Sequence, residues 1–231
     1  MTSNKNALPI MPSRSIADQV YERTKRDILH GVINPGQRLH EVDVANAFSA
    51  SRTPVREAFR RLEQENLVER IARGGVRVIQ LEWEAVKDLY DLRTVLETYA
   101  IKLACEKITY EQIITLKQIK AQAMELLSSP ELSNSYVFSR FMDLNTQFHE
   151  TIYQATGSRF LMVIINQLRG IVQVMRSMSL QVEQSSTRAW VEHNRLIQFL
   201  EKRDVKSAQN LIQQHVQNAA QEALSIMKNK T

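Results

Sequence analysis

The run Ser51-Arg52-Thr53-Pro54-Val55-Arg56-Glu57-Ala58-Phe59-Arg60-Arg61-Leu62 constrains the fold of this chain more than any other stretch. Val55, Phe59 and Leu62 recur at i, i+4 and i+7, the apolar stripe of one helix face. Arg52, Arg56 and Arg60 recur every fourth residue and share a second face. Thr53 reads as the N-cap, with Pro54 at the first helical position, where its missing N–H costs nothing. One edge of this helix is built for burial and another carries a row of guanidinium groups. A planar guanidinium can bond two acceptors at once, on a phosphate or on a guanine edge. A basic face alone also fits a solvated helix, so the flanking segments decide between the two.

Those segments have a definite order. Residues 1–14 are polar, hold Pro9 and Pro12, and read as a flexible arm. Ser15 to about His30 reads as a helix with Ala17, Val20, Thr24 and Ile28 inside, stopped by Gly31. Asn34-Pro35-Gly36 is a turn signal. Glu41 to about Phe48 reads as a short helix packing Val44, Ala45 and Phe48. A short helix, a tight turn and the arginine helix make a helix-turn-helix, whose second helix enters the major groove. Beyond Asn66, residues 67–71 and 76–79 alternate like strands around Arg73-Gly74-Gly75. Three helices and a two-stranded hairpin form a winged helix-turn-helix. The glycines let the wing tip approach a backbone closely, and Arg73 and Arg77 make it positive.

Charge follows this division. The chain carries a formal net charge of +5. Residues 1–80 hold 13 Lys and Arg against 9 Asp and Glu, leaving 17 against 16 for residues 81–231. The basic excess lies where a nucleic acid would bind. A single cysteine, Cys105, sits in an apolar helical pattern, which suggests a buried thiol and a reducing compartment. No signal-peptide pattern and no apolar run of about 20 residues appears, so a cytoplasmic, nucleoid-associated protein with no membrane partner is expected.

From residue 82 onward every periodicity is helical: 82–106, 109–127, 133–156, 158–181, 184–202 and 204–228, with Asp204 as N-cap of the last. The expected fold is therefore mainly α, a winged helix-turn-helix followed by an all-α bundle of six or seven helices. The expected divisions are an arm at 1–14, a DNA-binding domain at 15–79, a linker at 80–84 and a helical effector-binding and dimerisation domain at 85–228.

His149, His193 and His215 fall on three of these helices, each in an inward stripe. Asn145 precedes His149 by one turn, whereas Asp143 is turned away from that face. Three imidazoles with an oxygen donor suit Zn, Ni, Fe or Mn, while a lone inward histidine is more often a satisfied core residue. His30 and His40 read as incidental. A metal-dependent hydrolase is the enzymatic alternative. It needs a general base, yet Glu150 and Glu192 read as pointing elsewhere, and neither His-Glu-x-x-His nor a glycine-rich phosphate loop is present.

The motif "SRTPVREAFRRLEQENLVER…RGGVRV", preceded by "INPGQRL", resembles the DNA-binding domain of the GntR family of bacterial regulators over residues 15–79. The resemblance implies that Ser51, Arg52, Thr53 and Arg56 contact DNA and that Arg73 and Gly74 reach the minor groove. Arg38 and Arg60 complete the expected DNA-binding set. Residues 85–225, through "LYDLRTVLETYAIKLA", "NTQFHETIYQATGSRFL" and "EHNRLIQFLEKRDVKSAQNLIQQH", resemble the FCD ligand-binding domain of FadR-type members. That implies a divalent metal, Zn or Ni, held by Asn145, His149, His193 and His215. Asn145 stands where Asp is commoner, which removes a negative charge and weakens the site. A carboxylic acid effector would fill the open metal positions, steered by Arg93 and secondarily by Arg169 or Arg176. The expected function is a homodimeric repressor on a palindromic operator, released by a small organic acid. An architectural DNA binder with an unresponsive bundle is the other alternative.

Overall fold

The computed structural model describes residues 15–72, 74–129, 135–176 and 182–228. The arm expected at 1–14 and the wing-tip Arg73 lie outside the described residues.

The N-terminal unit begins with α1 (Ile16–Leu29). Its start is a capping box: Ser15 Oγ accepts from Asp18 N at 3.0 Å, and the Asp18 carboxylate accepts from Ser15 N at 3.2 Å. Helices α2 (Glu41–Ala47) and α3 (Arg52–Gln64) follow. Val55, Phe59 and Leu62 are fully buried, packed with Val20, Ile28, Val76 and Val78. The apolar stripe of the arginine helix is thus the centre of this core.

Two sequence expectations need correction here. The N-cap of α3 is Ser51, not Thr53, and Ser51 makes no side-chain cap bond. Pro54 therefore stands third in the helix, still in the first turn, where an N–H has no intrahelical partner to lose. The wing is also more than a hairpin. Strands β1 (Arg38–His40), β2 (Val68–Arg70) and β3 (Gly75–Val78) form an antiparallel sheet in the order β1-β3-β2. A three-residue β1 is too short to show alternation. Gly75 explains its position: a Cβ there would lie 2.4 Å from the Leu39 carbonyl oxygen, so only glycine lets β1 close on β3.

Among the described residues six helices make the second unit: α4 (Trp83–Lys107), α5 (Tyr110–Leu127), α6 (Ser135–Ala155), α7 (Arg159–Arg176), α8 (Val182–Glu201) and α9 (Val205–Lys228). Helix α4 begins inside the stretch read as a linker. The last five residues expected for the 158–181 helix lie outside the described residues. Asp204 caps α9 as expected, its Oδ1 accepting from Ser207 N at 3.1 Å. Helix α4 runs along α9, while α5 lies against α6 and α8. Trp190, Phe148 and Phe141 meet edge to face in the core. Cys105 is fully buried, and burial pushes its thiol up to about 11, an inert structural group. Among the described residues no helix is long and apolar enough to cross a membrane.

The two units are packed together. Val174 of α7 is fully buried in the N-terminal core. A Cβ at Gly170, one turn earlier, would touch Leu67 Cδ2 at 3.5 Å. His30, read as incidental, sits on this boundary. Its Nδ1 lies 2.9 Å from Ser139 Oγ and its Nε2 3.5 Å from Asp143 Oδ1, both on α6.

Candidate functional site

In the N-terminal unit the arginines of α3 are organised by a residue the sequence reading passed over. Glu41 opens α2 and is only 3 % exposed. Its Oε2 accepts from Arg56 Nε at 2.8 Å, and from Arg52 Nη2 at 3.1 Å and Nε at 3.3 Å. Desolvation opposes its ionisation, but Arg56 and Arg52 outweigh it and hold the carboxyl below its usual range. One buried carboxylate thus aligns two guanidinium groups whose side chains remain more than half exposed. Gly74, at φ +86°, completes the cluster: a Cβ there would lie 3.8 Å from Glu41 and 3.9 Å from Arg52. The wing tip and the start of α3 therefore meet on Glu41. Ser51, Thr53, Arg60 and Arg38 are exposed, the last on β1. Arg77 is committed elsewhere, paired with Glu69 across the β2–β3 register at 2.7 Å.

The bundle brings the three histidines together. Ligand atoms of His149, His193 and His215, from α6, α8 and α9, all lie within 4.8 Å of one another. Their rings pack at centroid distances of 4.8 to 5.7 Å. Asn145 is half-buried one turn before His149 on α6. Burial first, then the nearby positive charges of Arg169 and Arg93, pushes His149 well below its usual range. It is neutral at physiological pH, the form that ligates metals.

A buried polar network adjoins this cluster. Glu97 is fully buried and Arg93 is 4 % exposed; Arg93 Nε donates to Glu97 Oε1 at 2.8 Å. Tyr153 Oη donates to Glu97 Oε2 at 2.8 Å, and Arg169 Nη1 donates to Tyr153 Oη at 3.3 Å. Desolvation opposes the Glu97 charge, yet Arg93, Arg169 and Tyr153 together hold it ionised below its usual range. Arg93 Nη1 is buried and has no hydrogen-bond partner among the described residues, a donor available to an anion. Arg169 belongs to this network. The Arg176 side chain lies outside the described residues.

The contacts of Tyr153 also bear on the tautomer of His149. Tyr153 gives its one proton to Glu97, so at 3.4 Å from His149 Nδ1 it can only accept. Nδ1 then carries the hydrogen and Nε2 keeps the lone pair. Glu192 corrects a sequence expectation: it points not elsewhere but at His215, with Oε2 2.5 Å from Nδ1. Partial burial opposes the Glu192 charge and the His215 contact lowers its pKa again, so an acceptor-only carboxylate faces Nδ1 and Nδ1 is the donor in that contact. Three imidazoles, one of them backed by the Glu192 carboxylate, are a donor set that fits a borderline divalent metal. Glu97 stands four residues after Arg93, and Tyr153 four after His149, spacings that could have revealed them. No spacing rule pointed to Glu41 or Glu192.

A winged helix-turn-helix with an arginine-faced helix, joined to an all-helical bundle, is the architecture of a DNA-binding transcriptional regulator. The chain belongs to the bacterial regulatory proteins of the gntR family, matched over residues 16–78, and carries an FCD domain over residues 88–218. It is 26% identical over 215 residues to the HTH-type transcriptional repressor RspR of Escherichia coli strain K12, covering 93% of this chain and 92% of RspR. It is 30% identical over 189 residues to the gluconate operon transcriptional repressor of Bacillus subtilis strain 168, covering 80% and 74%. Among solved structures, E. coli McbR/YncC shares the fold with a TM-score of 0.74 at 20% identity, covering 94% of this chain and 98% of that one. These relatives are transcriptional regulators and not enzymes, which sets the hydrolase alternative aside.

Proposed function

We propose that the chain is a homodimeric repressor that binds a palindromic operator and is released by a small organic acid held in its bundle. In this reading residues 15–79 bind DNA, 80–84 join the halves, and 85–228 bind the effector and dimerise. Arg52 and Arg56, set by Glu41, face the major groove with Ser51 and Thr53. Arg73 and Gly74 at the wing tip reach the minor groove, and Arg38 and Arg60 meet phosphates. Two relatives carry the name repressor, which supports the sign of the response.

The observation that carries the effector reading is the meeting of three histidines with a buried arginine that has a spare donor. His149, His193, His215 and Asn145 would hold a divalent metal, Zn or Ni. The metal would supply positive charge and open positions for a carboxylate. Arg93 Nη1 would donate to the acid's carboxylate, and Arg169 and Tyr153 would orient it. Helix α6 carries both His149 and the Ser139 contact to His30; α7 carries both Arg169 and Val174. An acid that prefers one setting of α6 and α7 thereby prefers one setting of the DNA-binding unit, and only that preference can release the operator.

A thermal-shift screen of small carboxylic acids, with and without Zn²⁺ or Ni²⁺ after chelator stripping, tests this. A binder at about 100 times its Kd stabilises the native state by roughly 2.7 kcal/mol. A metal-dependent shift confined to one class of acids is expected. No shift with any acid or metal overturns the effector reading and leaves the bundle a dimerisation device.

A further inference from the structure

Helix α3 carries two acids, Glu57 and Glu63. Glu63 is neutralised, its Oε2 accepting from Arg70 Nε of β2 at 3.0 Å. Glu57 is exposed and makes no ion pair or hydrogen bond among the described residues. The arginine one turn on is taken: Arg61 is held by Asp18 at 2.7 Å and lies over the Tyr21 ring.

The place of this charge on the helix gives it meaning. At about 100° per residue, Thr53, Glu57 and Arg60 fall within roughly 60° of one another, opposite the buried Val55, Ala58, Phe59 and Leu62. Arg52 and Arg56 lie to one side, on Glu41. With its buried face against the core, α3 presents Thr53, Glu57 and Arg60 to whatever it enters. A bare carboxylate in a DNA groove meets phosphates on both walls, and electrostatics alone oppose it. Only a donor on a base edge offsets that repulsion. In the major groove guanine offers acceptors, thymine an acceptor and a methyl group, and adenine an acceptor beside its amine; cytosine offers an amine alone.

We infer that Glu57 is a specificity-determining residue: its carboxylate accepts from a cytosine amine in each half-site and repels the acceptor edges of guanine and thymine. The inference rests on the reading of α3 as the groove-facing helix. Arginines hold the chain on phosphates and guanine edges, and they tolerate many sequences. A carboxylate on the same face acts against the wrong ones, because it gains at one base and is repelled at the others.

Selection from random double-stranded DNA by the full chain, beside its Glu57→Ala and Glu57→Gln variants, tests this when the selected sites are compared base by base. The wild type is expected to select a repeat with a cytosine in each half-site that Glu57→Ala no longer prefers. Glu57→Gln is expected to move that position toward adenine, whose amine and N7 match an amide. The rest of the repeat is expected to stay unchanged. Fluorescence anisotropy on the selected site, with each base in turn at that position, is expected to show a cytosine preference of about 10-fold or more for the wild type and under about threefold for Glu57→Ala. Thermal melts are expected to be unchanged, since the side chain is exposed. If the wild type selects a repeat and both variants select the same repeat at every position, the inference is overturned while the groove reading stands. A uniform gain in affinity alongside that result marks Glu57 as a solvated acid. If the wild type selects no sequence, the groove reading fails and the inference falls with it.

Discussion

Arg56 Nε donates to Glu41 Oε2 at 2.8 Å, and the same oxygen accepts from Arg52. An acidic residue beside a helix proposed to face DNA would, by net charge alone, weaken binding. Here it holds two guanidinium groups in register, so its removal exchanges order for charge. Glu41→Ala is expected to raise affinity for random DNA and to lower affinity for the operator. Fluorescence anisotropy on both DNAs at one salt concentration checks this. A parallel rise on both would show that Glu41 positions nothing.

The same contact makes a pH signature. The Glu41 carboxyl is held below its ordinary value of 4.5 because Arg56 and Arg52 outweigh its desolvation. A depressed carboxylate contributes stability that is fully present above the unfolded value and is lost as pH falls through the folded value. The stability gap between wild type and Glu41→Gln is therefore expected to be flat above the ordinary value and to close at lower pH. Urea melts across that range measure it. A gap that widens on acidification would contradict the pairing.

In the bundle, Glu97 neutralises a buried guanidinium. Glu97→Ala leaves Arg93 charged and uncompensated, at an expected cost of about 3–5 kcal/mol. Arg93→Met with Glu97→Leu removes both charges and is expected to cost less than the single substitution. Denaturant melts of the three proteins decide it. A single variant as stable as wild type would show that the pair is not buried in solution.

Metal binding has its own test. Asn145→Asp adds a negative charge and is expected to tighten Zn²⁺ or Ni²⁺ binding by titration calorimetry, while His149→Ala abolishes it. Glu192→Gln loses the carboxylate behind His215 and is expected to weaken binding by about 10–100-fold. A His149→Ala protein that binds metal as wild type does would make the histidines core residues only.

Much of this was legible in the residues because period encodes burial. Val55, Phe59 and Leu62 announced the core of the DNA-binding unit, and the six helices of the bundle appeared at their observed places within a few residues. The three histidines were found by asking which inward stripes carry a ligand. Pairings across distant segments were not legible. Glu41 and Arg56 are 15 residues apart on different helices, and His215 and Glu192 are 23 apart, so no local periodicity links them. Strand β1 escaped because three residues cannot show alternation, and its partner's glycine marks a close approach without naming what approaches. His30 shows the same limit: its neighbours on α6 are more than 100 residues away.

The central claim is that α3 reads a specific DNA sequence. The most direct measurement is selection from random double-stranded DNA by the full chain, beside the Arg52→Ala and Arg56→Ala proteins. An inverted repeat is expected to be enriched by the wild type, with each variant losing about 1–3 kcal/mol on that site if its contact to a base is bidentate. No enriched sequence, or the same repeat bound equally well by both variants, would contradict the account.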